Sequence, residues 1–253
     1  MRDPRHVVIT GGSSGIGAAL ALEYAGPGIR LALTGRDVAR LEAVAAAARA
    51  KGAAVDTATL DVTDRDRLAA WLLARDSAHP VDLLIANAGI SAGTGRGGES
   101  DGQARRIFAV NLDGVLNTVH PLLPRMTERG RGQLALMSSL AGFRGFPGAP
   151  AYCASKAAVR VLGEAMRADL APRGVGVSVI CPGFVRSPMT AVNRFPMPFL
   201  MDADRAARIV RRGLARNAGR IAFPWPMYLA VRLVAALPGW IMDPLLARAP
   251  RKP

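Results

Sequence analysis

Short apolar runs punctuate the chain at intervals, and each is followed by a longer segment in which apolar residues return with helical spacing. His6-Val7-Val8-Ile9-Thr10 is the first run, and an Ala/Leu-rich helix follows it to about Ala25. Arg30 to Thr34 is the second, with a helix to about Ala50, and Ala54 to Thr59 is the third. Asp64 reads as the cap of a helix from Arg65 to Ala74. Val81 to Ala86 is a fourth strand, ahead of a long helix from about Asp101 to Arg129. Gln133 to Met137 is a fifth, ahead of a helix that begins near Tyr152 and is stopped by Pro172 and Gly174. Val175 to Cys181, a helix from about Asp204 to Ala215, and a last strand from Arg220 to Phe223 complete the alternation. The expected fold class is α/β, with one doubly wound parallel sheet of about seven strands and helices on both faces. No linker or internal repeat interrupts it.

Polar or glycine-rich residues stand repeatedly just after the strand ends, which in open α/β sheets is the edge where ligands bind. The first is Thr10-Gly11-Gly12-Ser13-Ser14-Gly15-Ile16-Gly17, between strand and helix. A turn of this kind at a helix N-terminus cradles phosphate, because backbone N–H groups and the helix dipole face the anion. The spacing is Gly-x3-Gly-x-Gly rather than Gly-x-Gly-x2-Gly, so on its own it could also be a loop that needs glycine. The second strand ends in Gly35-Arg36-Asp37. An acidic side chain there would accept the 2′-hydroxyl of a dinucleotide; Gly35 leaves that place empty, while Arg36 offers a guanidinium fork for a 2′-phosphate. The expected cofactor is NADP(H), with NAD(H) as the alternative.

Tyr152-Cys153-Ala154-Ser155-Lys156 opens a helix, so the phenol and the ammonium share one face. A nearby fixed cation favours phenolate and brings the tyrosine closer to proton exchange with an alcohol or carbonyl oxygen near neutral pH. Taken alone, the pair reads more readily as an aromatic and a solvated lysine at a helix start.

Composition narrows the alternatives. The 253 residues bury a full core, and the formal charge is +14. Only Lys51, Lys156 and Lys252 are lysines, and the arginines are scattered without a basic block or interleaved aromatics. A generally basic surface is therefore expected, not a nucleic-acid interface. Two cysteines, Cys153 and Cys181, imply no disulfide framework and fit a reducing compartment, here the cytoplasm. The start, Met1 to His6, lacks a signal-peptide stretch, and His6, His79 and His120 lack metal-ligand spacing.

Thr10-Gly11-x3-Gly15-Ile16-Gly17, Asn87-Ala88-Gly89, Asn111, Ser139, Tyr152-x3-Lys156 and Pro182-Gly183, in this order, resemble the short-chain dehydrogenase/reductase family over roughly residues 5–225. The resemblance implies a Rossmann-type domain over 1–225 and leaves 226–253 as an apolar helical extension. It implies that Tyr152 is the acid/base, that Lys156 binds the nicotinamide ribose and depresses the Tyr152 pKa, and that Asn111 holds a relay water. Ser139, thirteen residues before Tyr152, would bind the substrate oxygen, ahead of its neighbour Ser138. Thr10, Gly11, Ser13, Ser14, Gly15, Ile16 and Gly17 would hold the pyrophosphate side. Asp61 and Val62 would border the adenine, and Asn87, Ala88 and Gly89 would lie near the ribose. Pro182, Gly183, Val185 and Ser187 would lie at the nicotinamide, with Ser187 where the family usually has threonine. Ser14 stands where some NADP-dependent relatives carry a basic residue, which leaves Arg36 as the main phosphate reader.

The family's variable substrate segment corresponds to Pro188 to Met201, rich in Met, Phe and Pro. Such side chains line adaptable apolar pockets, so an apolar ketone or aldehyde is expected, although a lid packed on the body would read the same way. Phe143, Phe146 and Phe184 are expected to extend this pocket. The tail, Pro224 to Met242, is strongly apolar but interrupted by Arg232 and Pro238, which argues against crossing a membrane. Packing on the body or on a partner subunit is favoured over an interfacial anchor. The family resemblance also implies a homodimer or homotetramer. The expected activity is hydride transfer between NADP(H) and a carbonyl/alcohol pair. The alternatives are an idle nucleotide-binding sensor of the same fold and a membrane-surface reductase of lipid-like substrates.

Overall fold

All seven apolar runs become strands of one sheet in the computed structural model, which describes residues 3–93, 98–193 and 195–247. These are β1 (His6–Thr10), β2 (Arg30–Gly35), β3 (Ala54–Thr59), β4 (Leu83–Ala86), β5 (Gly132–Met137), β6 (Val175–Pro182) and β7 (Arg220–Phe223). Their order across the sheet is β3-β2-β1-β4-β5-β6-β7, and every neighbouring pair is parallel. This is the doubly wound Rossmann-type sheet expected from the alternation. Parts of the Ser91–Gly98 loop and of the Pro188–Met201 segment (residues 94–97 and 194), the first two residues and the last six lie outside the described residues.

The central strands read as continuous apolar runs because both of their faces are covered. In β1, Val7 and Ile9 join a core with α1 (Gly15–Tyr24), α2 (Val38–Ala50) and α9 (Ala203–Ala215). Val8, pointing the other way, joins a second core with α3 (Arg65–Ala78) and α7 (Pro150–Leu170). Each fully buried Val, Leu or Ile contributes roughly 1.5–3 kcal/mol of transfer free energy, so the two-sided packing fixes the register. The edge strand β3 has one neighbour and keeps Asp56 and Thr57 half-exposed.

Two helices differ from expectation. The third runs four residues further, to Ala78, from the predicted Asp64 cap, whose carboxylate accepts the Arg67 N–H at 3.2 Å. The single helix expected over 101–129 is broken into α4 (Asp101–Phe108), a π turn (Ala109–Asp113), α5 (Gly114–Val119) and α6 (Leu123–Glu128). Pro121 has no N–H to continue α5, and Pro124 instead sits in the first turn of α6, where its missing donor costs nothing. The π turn places Asn111 inward, 0% exposed.

After β6, the short α8 (Pro188–Ala191) leads to α9 and β7, and the tail folds as α10 (Trp225–Ala236) and α11 (Gly239–Ala247). Met227, Tyr228 and Val231 of α10 pack on Leu140, Phe143, Val179 and Cys181 of the body. Arg220 donates to Tyr228 Oη at 2.9 Å and to the carboxylate of Glu164, which also pairs with Arg160 at 3.1 Å. No helix among the described residues is long and apolar enough to cross a membrane. The strand order reverses between β1 and β4, which opens a crevice at their carboxyl ends.

Candidate active site

The crevice is laced together by Thr10 and Asn87. Thr10 Oγ1 accepts the N–H groups of Asn87 and Ala88 at 3.2 and 3.3 Å, and Asn87 Nδ2 donates to the carbonyls of Thr10 and Gly11, both at 3.0 Å. These bonds fix the ends of β1 and β4 side by side. Gly11 has φ +68°, and a Cβ on it would lie 2.8 Å from Ala88 Cα. On Gly17 a Cβ would lie 2.2 Å from the Gly11 carbonyl oxygen, so the loop closes on its helix only without a side chain there. Ser14, the N-cap of α1, makes no side-chain cap bond.

From this loop a cleft of about 600 Å³ runs between the end of β2 and the start of α7. Gly11, Ser13, Ser14, Gly15 and Ile16 line one wall, and Arg36, Asp61 and Val62 line the far end. Asn87, Ala88 and Gly89 form the floor beside Ser139, Tyr152, Lys156, Pro182, Gly183, Val185 and Ser187. Three expected site residues stand behind the lining: Thr10 and Gly17 shape the loop, and Asn111 is buried beneath it. Arg36 Nη1 lies 3.8 Å from Asp61 Oδ2 with its side chain 56% exposed. Burial works against the Asp61 carboxylate, yet bonds from Thr63 and the charges of Arg36 and Arg106 hold its pKa below the ordinary value. Ser187 caps α8, and its Oγ accepts the Thr190 N–H at 3.3 Å.

Tyr152 and Lys156 share the inner face of α7, with Nζ 5.9 Å from the centre of the phenol ring. Lys156 is 3% exposed and donates to the Met137 carbonyl at 2.9 Å. Burial pushes its pKa down to about 8. Burial also raises the Tyr152 phenol, and the group that counteracts it is the hydroxyl of Ser139. The expectation that Lys156 depresses the Tyr152 pKa is therefore not met in this structure: desolvation dominates both groups. The hydroxyl proton of the competing serine, Ser138, is engaged, since its Oγ donates to the Lys156 carbonyl at 2.7 Å. Asn111 Oδ1 accepts the Ile90 N–H at 2.8 Å, and Nδ2 donates to the Ile90 carbonyl and Ser155 Oγ, both at 3.0 Å. Its side chain thus clamps the β4 loop to α7, and holding a relay water with it would mean sharing these bonds.

Beyond Tyr152 lies a second cavity of about 350 Å³, lined mainly by apolar side chains, among them Phe146, Phe184, Met189 and Phe195. Phe184 and Phe195 meet edge to face, 5.9 Å between centres. Phe143 does not line it: its ring packs on Tyr228 at 5.5 Å and beneath the guanidinium of Arg160 at 4.8 Å. The expectation for Phe143 is corrected on that ground, because the cation cluster beside Glu164 captures the ring. Ser139 and Tyr152 line both the cleft and the cavity.

The family model of the short chain dehydrogenases matches residues 5–196. The chain belongs to that family. An uncharacterized oxidoreductase of Myxococcus xanthus is 40% identical over 94% of this chain and 95% of its own length. Among solved structures, a short-chain dehydrogenase from Sphingobium yanoikuyae in complex with NADPH superposes with a TM-score of 0.81 at 28% identity, covering 97% of this chain and 96% of that one. A short-chain dehydrogenase/reductase from Burkholderia phymatum in complex with NAD gives a TM-score of 0.84 at 28% identity, covering 100% and 98%.

Several lining residues of this short-chain dehydrogenase escaped the sequence reading. Arg40 borders the cleft one helical turn beyond Arg36, and its Nε is held by Asp37 at 2.7 Å. The four-residue spacing after Arg36 was the available signal. Met227 and Val231 of α10 line the apolar cavity, and no local pattern announces this, because only the chain's return after β7 brings them there.

Proposed function

We propose that this chain transfers hydride between NADP(H) and a carbonyl/secondary-alcohol pair of an apolar ketone or aldehyde. The observation that carries the reading is the double position of Ser139 and Tyr152, at the junction of a nucleotide-length cleft and an apolar cavity. The cleft fits a dinucleotide: its glycine cradle has no room for a Cβ at Gly11 or Gly17, its α1 cap leaves first-turn N–H groups without a side-chain acceptor, and two arginines stand at its far end. The bound nicotinamide supplies or accepts the hydride. Arg36, with Arg40 behind it, favours the 2′-phosphate form, and NAD(H) is the second cofactor the cleft accommodates.

Ser139 holds the substrate oxygen against Tyr152. A phenol kept neutral by burial gives its proton to that oxygen as hydride reaches the carbonyl carbon, which supports the reductive direction. Lys156, with a pKa of about 8, is mostly an ammonium at neutral pH and offers its protons to the ribose hydroxyls. Asn111 keeps α7 and the β4 loop in register and so positions Tyr152. Within the extension over 226–253, α10 acts with 1–225 as one unit, since it walls the cavity. A cytoplasmic homodimer or homotetramer is the form consistent with the free cysteines and with the family.

The test is nicotinamide absorbance with NADPH or NADH over a panel of apolar ketones and aldehydes. Turnover with NADPH that disappears in Tyr152→Phe, with nucleotide binding retained, is the expected result; turnover surviving in that variant would remove Tyr152 from the chemistry. Arg36→Ala should weaken NADPH more than NADH, and equal weakening would remove the phosphate role.

A further inference from the structure

The two faces of α10 have different surroundings. Met227 and Val231 point inward, while Trp225, Leu229 and Leu233, four residues apart, share the outward face and are 72%, 52% and 62% exposed. Leu237 and Trp240 carry the exposed apolar row through the turn into α11, at 39% and 78%. Half of the large apolar side chains exposed among the described residues therefore stand on this one hairpin, whereas single exposed apolar residues elsewhere are ordinary.

Charge decides what fits this face. After Asp204 the sequence has a single side-chain carboxylate, Asp243 in α11. Arg232 lies beside Leu229 and Leu233 on α10, exposed, with Tyr228 Oη as a neutral partner at 3.3 Å. Arg144 donates to the Leu237 carbonyl at 3.1 Å, at the hairpin turn. Beyond α11 the sequence adds Arg248, Arg251 and Lys252, within a chain of formal charge +14. A second copy docked face to face would set Arg232 and Arg144 against their own sign, whereas an anionic surface complements them. Tryptophans at both ends of an apolar row flanked by arginines suit the headgroup boundary of a bilayer. The hairpin is too short to span one.

We propose that the outer face of the α10–α11 hairpin docks on an anionic lipid surface, lying in its interface without crossing it. Met227 and Val231, on the inner side of the same helix, wall the apolar cavity, so one helix separates the docked surface from the site. The proposal does not depend on the redox reading, because its test requires no turnover.

Trp225 and Trp240 are two of the chain's three tryptophans, so intrinsic fluorescence reports directly on this face. The full chain is titrated with vesicles of phosphatidylcholine plus phosphatidylglycerol and, separately, of phosphatidylcholine alone, with flotation as a second readout. Expected are a blue shift and flotation with the anionic vesicles, weakened by salt, and at least about tenfold weaker binding for the double variant Leu229→Glu/Leu233→Glu. Both positions are exposed, so the variant should keep the wild-type unfolding temperature, which shows that it is folded. No binding to anionic vesicles, equal binding to neutral ones, or undiminished binding by the double variant would each overturn the proposal. So would light scattering that finds a wild-type oligomer dissociated by the double variant, with no vesicle binding by either.

Discussion

Two adjacent serines at the end of β5 allow a sharp test of the site, because the proposed function gives them opposite tasks. Ser138 is 2% exposed and donates its hydroxyl proton to the carbonyl of Lys156 at 2.7 Å. Replacing it with alanine removes one buried hydrogen bond, which costs about 1–3 kcal/mol. For a chain of this size that lowers Tm by roughly 2–12 °C, at about 2–4 °C per kcal/mol. Ser139 instead lines both cavities beside Tyr152, while its contact with the Pro182 carbonyl is long, at 3.4 Å. It also accepts the Ala141 N–H at 3.1 Å, a cap-like bond whose loss costs about 1 kcal/mol. The larger loss in Ser139→Ala should be in the reaction: removing a donor aimed at the developing oxyanion lowers kcat by about 10²–10³, or roughly 2.7–4 kcal/mol. Steady-state kcat/KM by nicotinamide absorbance and Tm by scanning fluorimetry, on both variants, separate the two effects. The expected pattern is Ser138→Ala less stable but active, and Ser139→Ala nearly as stable as wild type but inactive. If Ser138→Ala loses as much activity as Ser139→Ala at an unchanged Tm, the assignment of the oxygen-holding serine is wrong.

Gly17→Ala must displace the Gly11 carbonyl or Asn87 and should weaken NADPH binding by more than about tenfold; calorimetric titration giving the wild-type affinity would show that the cradle tolerates a side chain. Asp76, 6% exposed, accepts from Arg129 at 2.8 Å and from the Val81 N–H at 2.8 Å, so Asp76→Ala should cost about 3 kcal/mol in denaturant unfolding, while a cost within experimental error would show the cluster to be surplus. Burial opposes ionisation of Glu164, but Arg220 and Arg160 hold its pKa below 4.5, so its contribution to stability is present above about pH 4.5 and is lost as pH falls through the lower folded value. The Tm difference between wild type and Glu164→Gln should therefore shrink on acidification below that point, and a difference constant with pH would remove the ionic role.

The sheet was legible because burial on both faces leaves a simple trace, an apolar run bounded by polar turn residues. Val7-Val8-Ile9 and Leu83-Leu84-Ile85 need no partner information to be read as central strands. The long helix expected over 101–129 failed where a local rule was overridden: the apolar spacing continues through Pro121, but the hydrogen-bond ladder cannot. The Tyr152–Lys156 pair was found from its spacing, while its electrostatics were misread. Spacing fixes which groups are close, whereas the direction of a pKa shift depends on how completely both are desolvated, and that is set by β5, β6 and the π turn packed against α7.

The two halves of the candidate site were unequally readable for a structural reason. The nucleotide half is built from backbone at strand ends, so its demands fall on contiguous residues: a glycine where no Cβ fits, a threonine and an asparagine that tie two strands, an arginine one step beyond β2. The substrate half is built from side chains that meet only in three dimensions. Phe146 precedes α7, Phe184 follows β6, and Met227 and Val231 arrive with the tail, each in a stretch that looks like ordinary core or lid. Phe143 shows how little separates the outcomes: three residues before Phe146, it is drawn away by Arg160 and Arg220 and anchors α10 through Tyr228. The cation cluster that removes this ring from the pocket thereby holds in place the helix that supplies Met227 and Val231 to the same pocket. Cavity shape in this enzyme is therefore coupled to the Glu164–Arg220–Tyr228 network, and substitutions there should alter substrate preference before they alter nucleotide binding. Comparing Arg220→Ala with wild type over a size-graded ketone series, beside an NADPH titration, measures that coupling; an unchanged preference would show that α10 is held by its apolar contacts alone.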